Sequence, residues 1–424
     1  MSILSAKGVR NAMAASALLA ICLAPTRFVH AQQGAAGAAI SGDITFWHTY
    51  NTVGPENIQL ITKVLPAFEK LYPNVVVHSQ DVPYTSMLQK LVASVAAGNG
   101  PDVIRSDIIW MPQLAKIGAL SPVDDMLANH KRDFYTGPLA TCAYNGHYYG
   151  LPLDTNTKVI IYNKTLFARA GIAHPPTTTA EFATDAVKIA KLGKGIYGYD
   201  LGGIDPWVQI PWIASFGGNV TNPSVTTASG FINGSSSVAA VQYLQQLQDD
   251  GALAPTLLNA STLSGEDMIG RGMAGMTDDG PWSHDILTKQ YPKAQWGYAP
   301  FPAGPNGHSA SVIGGEDIAA MKSTQNMPAV RAFMTFMTSR QAQVLMGQVD
   351  QMPTLINAST DSSLPSYLSV FNQQLRTAVP RTVSPNYTKI ETIFNDSMNL
   401  IFRHKTTTQK ALDTAAAQIT PLLH

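Results

Sequence analysis

The alternation of apolar and polar positions opens regular structure at Ile44. Ile44 to Trp47 is a short apolar run of strand character, Val75 to His78 is a second, and Val103-Ile104 is a third. Between them the spacing changes to that of helices. Pro55 opens one helix, within which Pro66 predicts a kink or a restart. Leu88, Leu91, Val92 and Val95 form one helical face, closed by Gly98-Asn99-Gly100-Pro101. Strands alternating with helices predict βαβ units and a mostly parallel sheet. In open sheets of that kind ligands sit at the carboxyl ends of the strands. His48 to Asn51, after strand one, and Arg105 to Asp107, after strand three, are therefore the first candidates for a site.

A second α/β region follows Asn145-Gly146, a two-residue hairpin signal of type I′. KVIIYN reads as a strand, and Thr178 with Glu181 three positions later predicts a capping box on a helix that Gly193 closes. A segment rich in Trp, Pro and Gly (Gly202 to Asn222) precedes a helix from Val238 to Gln248. Pro300, Pro302 and Pro305 make Tyr298 to Gly307 the strongest internal linker. Helices dominate afterwards, at Ala329 to Met346 and from Tyr387 onward.

Composition narrows the class. With 424 residues, 45% hydrophobic and 13% charged, the chain is globular and long enough for two domains. Lys7 and Arg10 precede an apolar run from Ala12 to Ala24, and Val29-His30-Ala31 fits a small-x-small cleavage pattern. Together they predict a cleavable export signal over 1–31, maturation near Gln32, and a flexible leader over 32–42. The run is shorter than the roughly 20 residues of a membrane span. Bulky Ile21 before Cys22 favours ordinary cleavage over a lipid anchor. Cleavage would leave Cys142 without a disulfide partner. It would also remove Lys7, Arg10 and Arg27 from 28 basic residues, leaving 25 against 28 acidic ones. Such a surface gives no electrostatic reason to expect nucleic acid or an anionic membrane as partner.

Gly270, Gly272 and Gly275 spell GxGxxG, but without a strand before and a helix after, the match reads as chance. The histidines lack metal-ligand spacing, and neither a metal nor a cofactor is expected. Asp278 and Asp279 point to opposite faces of an extended segment, so the pair alone does not build a glycosidase site. Trp47, Trp207 and Trp282 stand beside polar or turn residues. A sugar offers C–H faces to an aromatic plane and hydroxyls to carboxylates and amides, so this grouping suits carbohydrate.

ITFWHTY, AAGNGPDVI with WMPQLAKIGALSPVDD, YYGLP, IIYNKTLFARAGI, PPTTTAEF, FGGN, GMAGMTDDGPW, IGGEDIAAMKSTQN and KALDTAAAQI occur in one order along the chain. In that order the sequence resembles the extracellular solute-binding proteins of ABC importers, family 1, the maltodextrin-type sugar binders. The resemblance implies a two-lobed periplasmic-binding-protein fold, each lobe an α/β sheet flanked by helices, closing on ligand like a flytrap. It implies lobes of 43–153 with 301–353 and of 154–300 with 354–424, the latter ending in the C-terminal helices. Crossings are expected near Leu153 to Thr155, Ala299 to Phe301 and Met352 to Leu355. The implied role is a monomeric, non-catalytic sugar receptor outside the cytoplasm, handing its ligand to the transmembrane subunits of an ABC permease. Implied ligand contacts are Trp47, His48, Tyr50, Asn51, Tyr84, Ser106, Asp107, Asp154, Asn156, Trp207, Gly280, Trp282, Gly314, Gly315, Glu316 and Arg381. Within the first cluster Tyr50 and Asn51 are expected to touch ligand, with Trp47 nearer a wall. Glu316 stands where many sugar binders carry an aromatic, exchanging a stacking surface for a carboxylate. Two alternatives remain: a receptor for glycerol-3-phosphate or a glycerophosphodiester, and a secreted glycoside hydrolase.

Overall fold

The computed structural model of the chain describes residues 39–259 and 263–423. The expected export signal, its Cys22 and most of the leader lie outside the described residues. Eleven strands position the site: β1 (Ser41–His48), β2 (Asn74–Asp81), β3 (Val103–Asp107), β4 (Leu151–Thr157), β5 (Val159–Asn163), β6 (Tyr197–Asp200), β7 (Ala274–Asp279), β8 (Trp296–Ala299), β9 (Ser311–Ala320), β10 (Met352–Pro353) and β11 (Ala378–Pro380). The first sheet runs β10-β4-β9-β3-β1-β2, with β11 pairing β9, and the second runs β8-β5-β7-β6. β1 is parallel to β2 and β3, β6 is parallel to β7, and β11 is parallel to β9. β9 is antiparallel to β3 and β4, and β5 is antiparallel to β7 and β8. The sheets are therefore mixed, where alternating strands and helices predict mostly parallel ones. A chain that crosses between sheets returns in the opposite sense.

The crossings are short. β4 passes to β5 through Lys158 alone, beyond the expected crossing near Leu153 to Thr155. The return runs from the end of β8 at Ala299 to Ser311 of β9, through the Pro-rich segment. Lys158 is buried, its Nζ 2.6 Å from Asp278 Oδ2 and its carbonyl accepting from Ser311 Oγ at 2.8 Å.

Each sheet has its own core. In the first, Ile44 and Phe46 of β1 pack with Phe68 and Phe333, the latter on a helix, Met327–Met337. In the second, Tyr199, Phe182 and Trp212 meet edge to face, and the C-terminal helices cover them with Phe394, Met398 and Leu412. Truncating such a fully buried aromatic costs about 3–5 kcal/mol.

Local signals behave as their chemistry demands. Asn145 and Gly146 both have positive φ, as a type I′ turn requires. A π-helical turn, Leu60–Val64, interrupts the first helix just before Pro66, which then sits in the opening turn of Leu65–Leu71. Thr178 accepts from the Glu181 amide, but the Glu181 carboxylate bonds Thr177, so the box is only half formed. GxGxxG falls at a helix end followed by a strand, the reverse of a phosphate-binding order. The long C-terminal helical stretch is broken at His404, whose φ is +54°, into Tyr387–Phe402 and Thr408–Ile419.

Candidate functional site

A cavity of about 400 Å³ lies between the two sheets. Three helices line it, α1 (Tyr84–Ala97), α2 (Pro206–Ser215) and α4 (Tyr387–Phe402), and Trp282 enters it from just before α3 (Ser283–Gln290). One wall is the end of β3 and the middle of β9. Asp107 closes β3, and Glu316 pairs with it across the ladder. Tyr84, first residue of α1, donates its hydroxyl to Asp107 Oδ2 at 2.7 Å, while the Ile109 amide donates to Oδ1 at 2.9 Å. Arg381, which follows β11, reaches the same Oδ1 at 3.3 Å.

The opposite wall is aromatic. Asp205 caps α2, its Oδ1 accepting from the Trp207 amide at 2.9 Å, with Pro206 fixing the first turn. Trp282 follows β7 and lies nearly parallel to Trp207, with ring centroids 6.4 Å apart and 25° between planes. Two glycines make room for these rings. A Cβ on Gly314 would lie 2.8 Å from the Trp207 indole, and one on Gly280 would lie 2.2 Å from the Trp282 indole. Gly315 has φ +121°, and any side chain there would meet the Asp154 carbonyl at 2.4 Å.

Charge in this cavity is lopsided. Asp107, Asp205, Glu316 and Glu391 line it, with Arg381 as the one cation in the lining. Burial works against the Arg381 charge, but Asp107 beside it, joined by Tyr387, Tyr84 and Glu391, outweighs that and holds the guanidinium protonated. Burial, and then Asp205, push the Glu391 carboxyl upward. Burial also drives Glu316 well above its ordinary value; Arg105 opposes this and Asp154 adds to it. The Arg381 Nε and the Asn156 Oδ1 are buried without partners.

Behind this wall sits a second guanidinium, Arg105. Its Nε and Nη2 grip Asp154 at 3.2 and 3.1 Å, Nη1 meets Thr49 Oγ1 at 2.7 Å, and Nη2 also reaches Gln351 at 3.0 Å. Glu316 Oε2 lies 2.8 Å from the same Nη2, and the guanidinium covers the Tyr50 ring at 4.2 Å. The pair with Glu316 is an ion contact without aligned hydrogen-bond geometry.

Of the expected contacts, Tyr84, Asp107, Asn156, Trp207, Trp282, Gly314, Gly315, Glu316 and Arg381 line the cavity. The others lie outside its lining. Tyr50 is only 3% exposed and sits beneath Arg105, while Asn51 is exposed on a turn where its Oδ1 accepts from Val53. These two are the expected contacts of the first cluster, and the structure places both outside the cavity lining. Strand parity explains it: His48 and Tyr50 continue the buried face of Ile44 and Phe46. His48 bonds Ser79 at 2.8 Å, and burial, then Arg105, lower its pKa to about 4. Trp47 faces the other side, packing on the cluster around Leu91 under Lys90. Ser106 is fully buried, donating to the Asp107 carbonyl, and Asp154 is spent on Arg105. Gly280 serves as the bed of Trp282. Asp278, paired with Lys158 and holding the Tyr199 hydroxyl, is turned into the core, so the adjacent carboxylates do not face a ligand.

Ile109, Asp205 and Glu391 line the cavity without having been expected. Asp205 was legible as a cap before Pro206 but not as a wall. Nothing local marks Glu391, which α4 brings from 186 residues beyond Asp205 in the sequence.

Comparison with known proteins agrees with this geometry. Residues 54–344 match the family model described as bacterial extracellular solute-binding protein. The maltooligosaccharide ABC transporter solute-binding lipoprotein of Streptococcus pneumoniae is 25% identical over 349 residues, covering 79% of this chain and 78% of its own. The GacH receptor of Streptomyces glaucescens, solved unliganded and with acarbose, superposes with a TM-score of 0.78 at 25% identity, covering 91% of this chain and 99% of its own. UgpB of Mycobacterium tuberculosis, in complex with glycerophosphocholine, superposes at 0.76 with 20% identity, covering 90% and 98%; at that identity the likeness is one of fold.

Proposed function

The chain belongs to the bacterial extracellular solute-binding proteins, the non-catalytic receptors of ABC transporters, and on that premise we propose that its ligand is a neutral sugar held in the interlobe cavity. The observation that carries this is the lining: two near-parallel indoles opposite carboxylates, with the one guanidinium already committed to Asp107. Indole faces suit the C–H faces of a pyranose, and carboxylates accept from its hydroxyls. Arg381 has its Nε to spare, a donor for a ring or hydroxyl oxygen.

A glycerophosphate is the second reading, and charge weighs against it. A phosphate wants several unpaired cations or long helix N-termini. Here Arg105 is engaged by Asp154, Thr49, Gln351 and Glu316 outside the cavity lining, and Lys158 is paired with Asp278. An incoming phosphate would face four carboxylates with one shared guanidinium.

The division into two lobes, expected at 43–153 with 301–353 and at 154–300 with 354–424, belongs to this reading; because β4 stays whole in the first sheet, the first boundary moves to Lys158, with bending there and along the Pro-rich return. Ligand held by Asp107 and Glu316 on one side and Trp207 and Trp282 on the other binds the closed form more tightly. That difference shifts the open–closed equilibrium and reports loading to the permease. Export by the N-terminal signal and action as a monomer complete the proposal. Calorimetric titration with mono-, di- and oligosaccharides, glycerol-3-phosphate and glycerophosphocholine tests it. A saccharide should bind and raise Tm according to RT ln(1 + [L]/Kd). Binding of a glycerophosphate with no saccharide binding would overturn it.

A further inference from the structure

The pairing of β9 sets three carboxylates in a row across adjacent strands. Glu316 stands directly opposite Asp107 of β3 on one side and Asp154 of β4 on the other. Residues opposed in this way in antiparallel ladders face the same side, with Cβ atoms about 4.5–5.5 Å apart, and like charges there repel. The cations that the described residues bring within ion-pair distance stand at the two ends: Arg381 on Asp107, and Arg105 on Asp154, the latter also touching Glu316. Three carboxylates thus face two guanidiniums. The titratable neighbours add no positive charge: Tyr50 and Tyr84 are phenols that burial keeps protonated, and Asp205 and Glu391 stand across the cavity.

Hydrogen bonds single out where a proton belongs. Donors aligned on a carboxylate favour its charged form. Asp107 accepts from the Tyr84 hydroxyl, the Ile109 amide and Arg381, and both oxygens of Asp154 accept from Arg105. Glu316 Oε2 is buried without a hydrogen-bond partner among the described residues. It lies 2.8 Å from Arg105 Nη2, but that nitrogen gives its hydrogens to Asp154 and Gln351. Glu316 Oε2 and Asp154 Oδ1 therefore crowd one nitrogen, at 2.8 and 3.1 Å, and a proton on the first lets it donate to the second. Burial raises the Glu316 carboxyl, Arg105 opposes this, and Asp154 and Asp107 add to the rise.

We propose that Asp154 and Glu316 share one proton, and that loading of the interlobe cavity is linked to it. With the proton, two negative charges meet two guanidiniums and the wall behind the solute is balanced. Without it, an unpaired negative charge is left on that wall. A neutral solute that expels water from the cavity raises the cost of that charge, so the proton-free form binds it more weakly. This rests on the sugar reading above and adds a regulation to it: affinity falls as pH rises through the titration of the pair. Stability has the same sign, because above the ordinary carboxylate range the folded chain holds a proton that the unfolded chain has lost.

Infrared difference spectra of the ligand-free chain, wild type against Glu316→Gln, test the shared proton. At about pH 7 the wild type should show a protonated-carboxyl band that Glu316→Gln, whose amide donates to Asp154 permanently, lacks. Asp154→Asn should lose the same band and keeps the test valid if the Gln variant fails to fold. A difference in carboxylate bands alone overturns the shared proton. Calorimetric titration with glucose, mannose, galactose, xylose and their oligosaccharides, from about pH 6 to about pH 9, tests the linkage. Wild-type affinity for the saccharides that bind should fall by up to about tenfold per pH unit as the pair titrates, and Glu316→Gln should lack that slope. A slope absent from the wild type, or equal in both proteins, overturns the linkage and leaves the sugar reading intact. Failure of every saccharide to bind the wild type overturns the sugar reading and the linkage with it, whereas the spectra decide the shared proton without any ligand.

Discussion

Two buried guanidiniums stand on either side of the same carboxylate-rich wall, and they do different work. Arg105 meets Asp154 in a two-point grip, Thr49, Gln351 and Glu316, and lies on the Tyr50 ring. Arg381 has one carboxylate contact, at 3.3 Å, an indole face at 5.3 Å and an Nε without a partner. Both are almost wholly buried, so exposure does not separate them. Unfilled valence does. A guanidinium held at several points ties strands together; one held at a single carboxylate, on a cavity wall, can turn to a ligand.

Arg105→Met should therefore have the largest effect on stability. It strands Asp154 and Glu316 without their counter-charge, and breaking a buried pair from one side costs about 3–5 kcal/mol. Thermal denaturation should show a Tm lower by roughly 4–6 °C. A drop comparable to that of Arg381→Met would erase the contrast between the two. Next comes Trp282→Ala. That indole is 37% exposed and is not in the core, so ligand affinity should fall by about 2 kcal/mol or more, read by calorimetry, with a much smaller change in Tm. Unchanged affinity would remove the aromatic wall from the site.

Arg381→Lys sharpens the comparison more finely. It retains a charge for Asp107 but loses the spare planar donor, so binding should weaken by about 1–2 kcal/mol while Tm moves little. Smallest is Tyr50→Phe. The Tyr50 hydroxyl is buried and unpartnered, so its loss should change stability by under about 1 kcal/mol and leave affinity unaltered. A tenfold loss of affinity on deleting that hydroxyl would return Tyr50 to the ligand.

Much of the fold was legible because its signals are local. Asn145-Gly146, the Gly98 stop and the Thr178 cap each dictate backbone conformation within a few residues. Of the residues that line the cavity, Asp107 was legible as the end of β3 and Trp282 by the turn it stands in, whereas Tyr84 came only with the resemblance. Two kinds of information were not. Side-chain direction within β1 was available from parity, since His48 and Tyr50 share the face of Ile44 and Phe46, yet an aromatic-rich strand end masks that alternation. Long-range neighbours were unavailable in principle. No window of sequence contains both Glu391 and Asp205, or both Arg105 and Gln351, and only the packed chain brings them together. The antiparallel placement of β9 has the same origin, because strand sense depends on which lobe the chain last visited.

The two indoles bedded on Gly280 and Gly314 have an optical consequence. Trp207 lies beside Lys158, Arg381 and the cavity carboxylates, and Trp282 is partly open to solvent, whereas Trp212 is sealed in the second core. Water leaving the indole faces, or charge shifting against them, changes their emission, while Trp212 supplies a constant background. If ligand lies against these indoles as proposed, the protein carries its own fluorescent gauge of occupancy, readable without a label, and replacing Trp282 would dim the signal and the binding together.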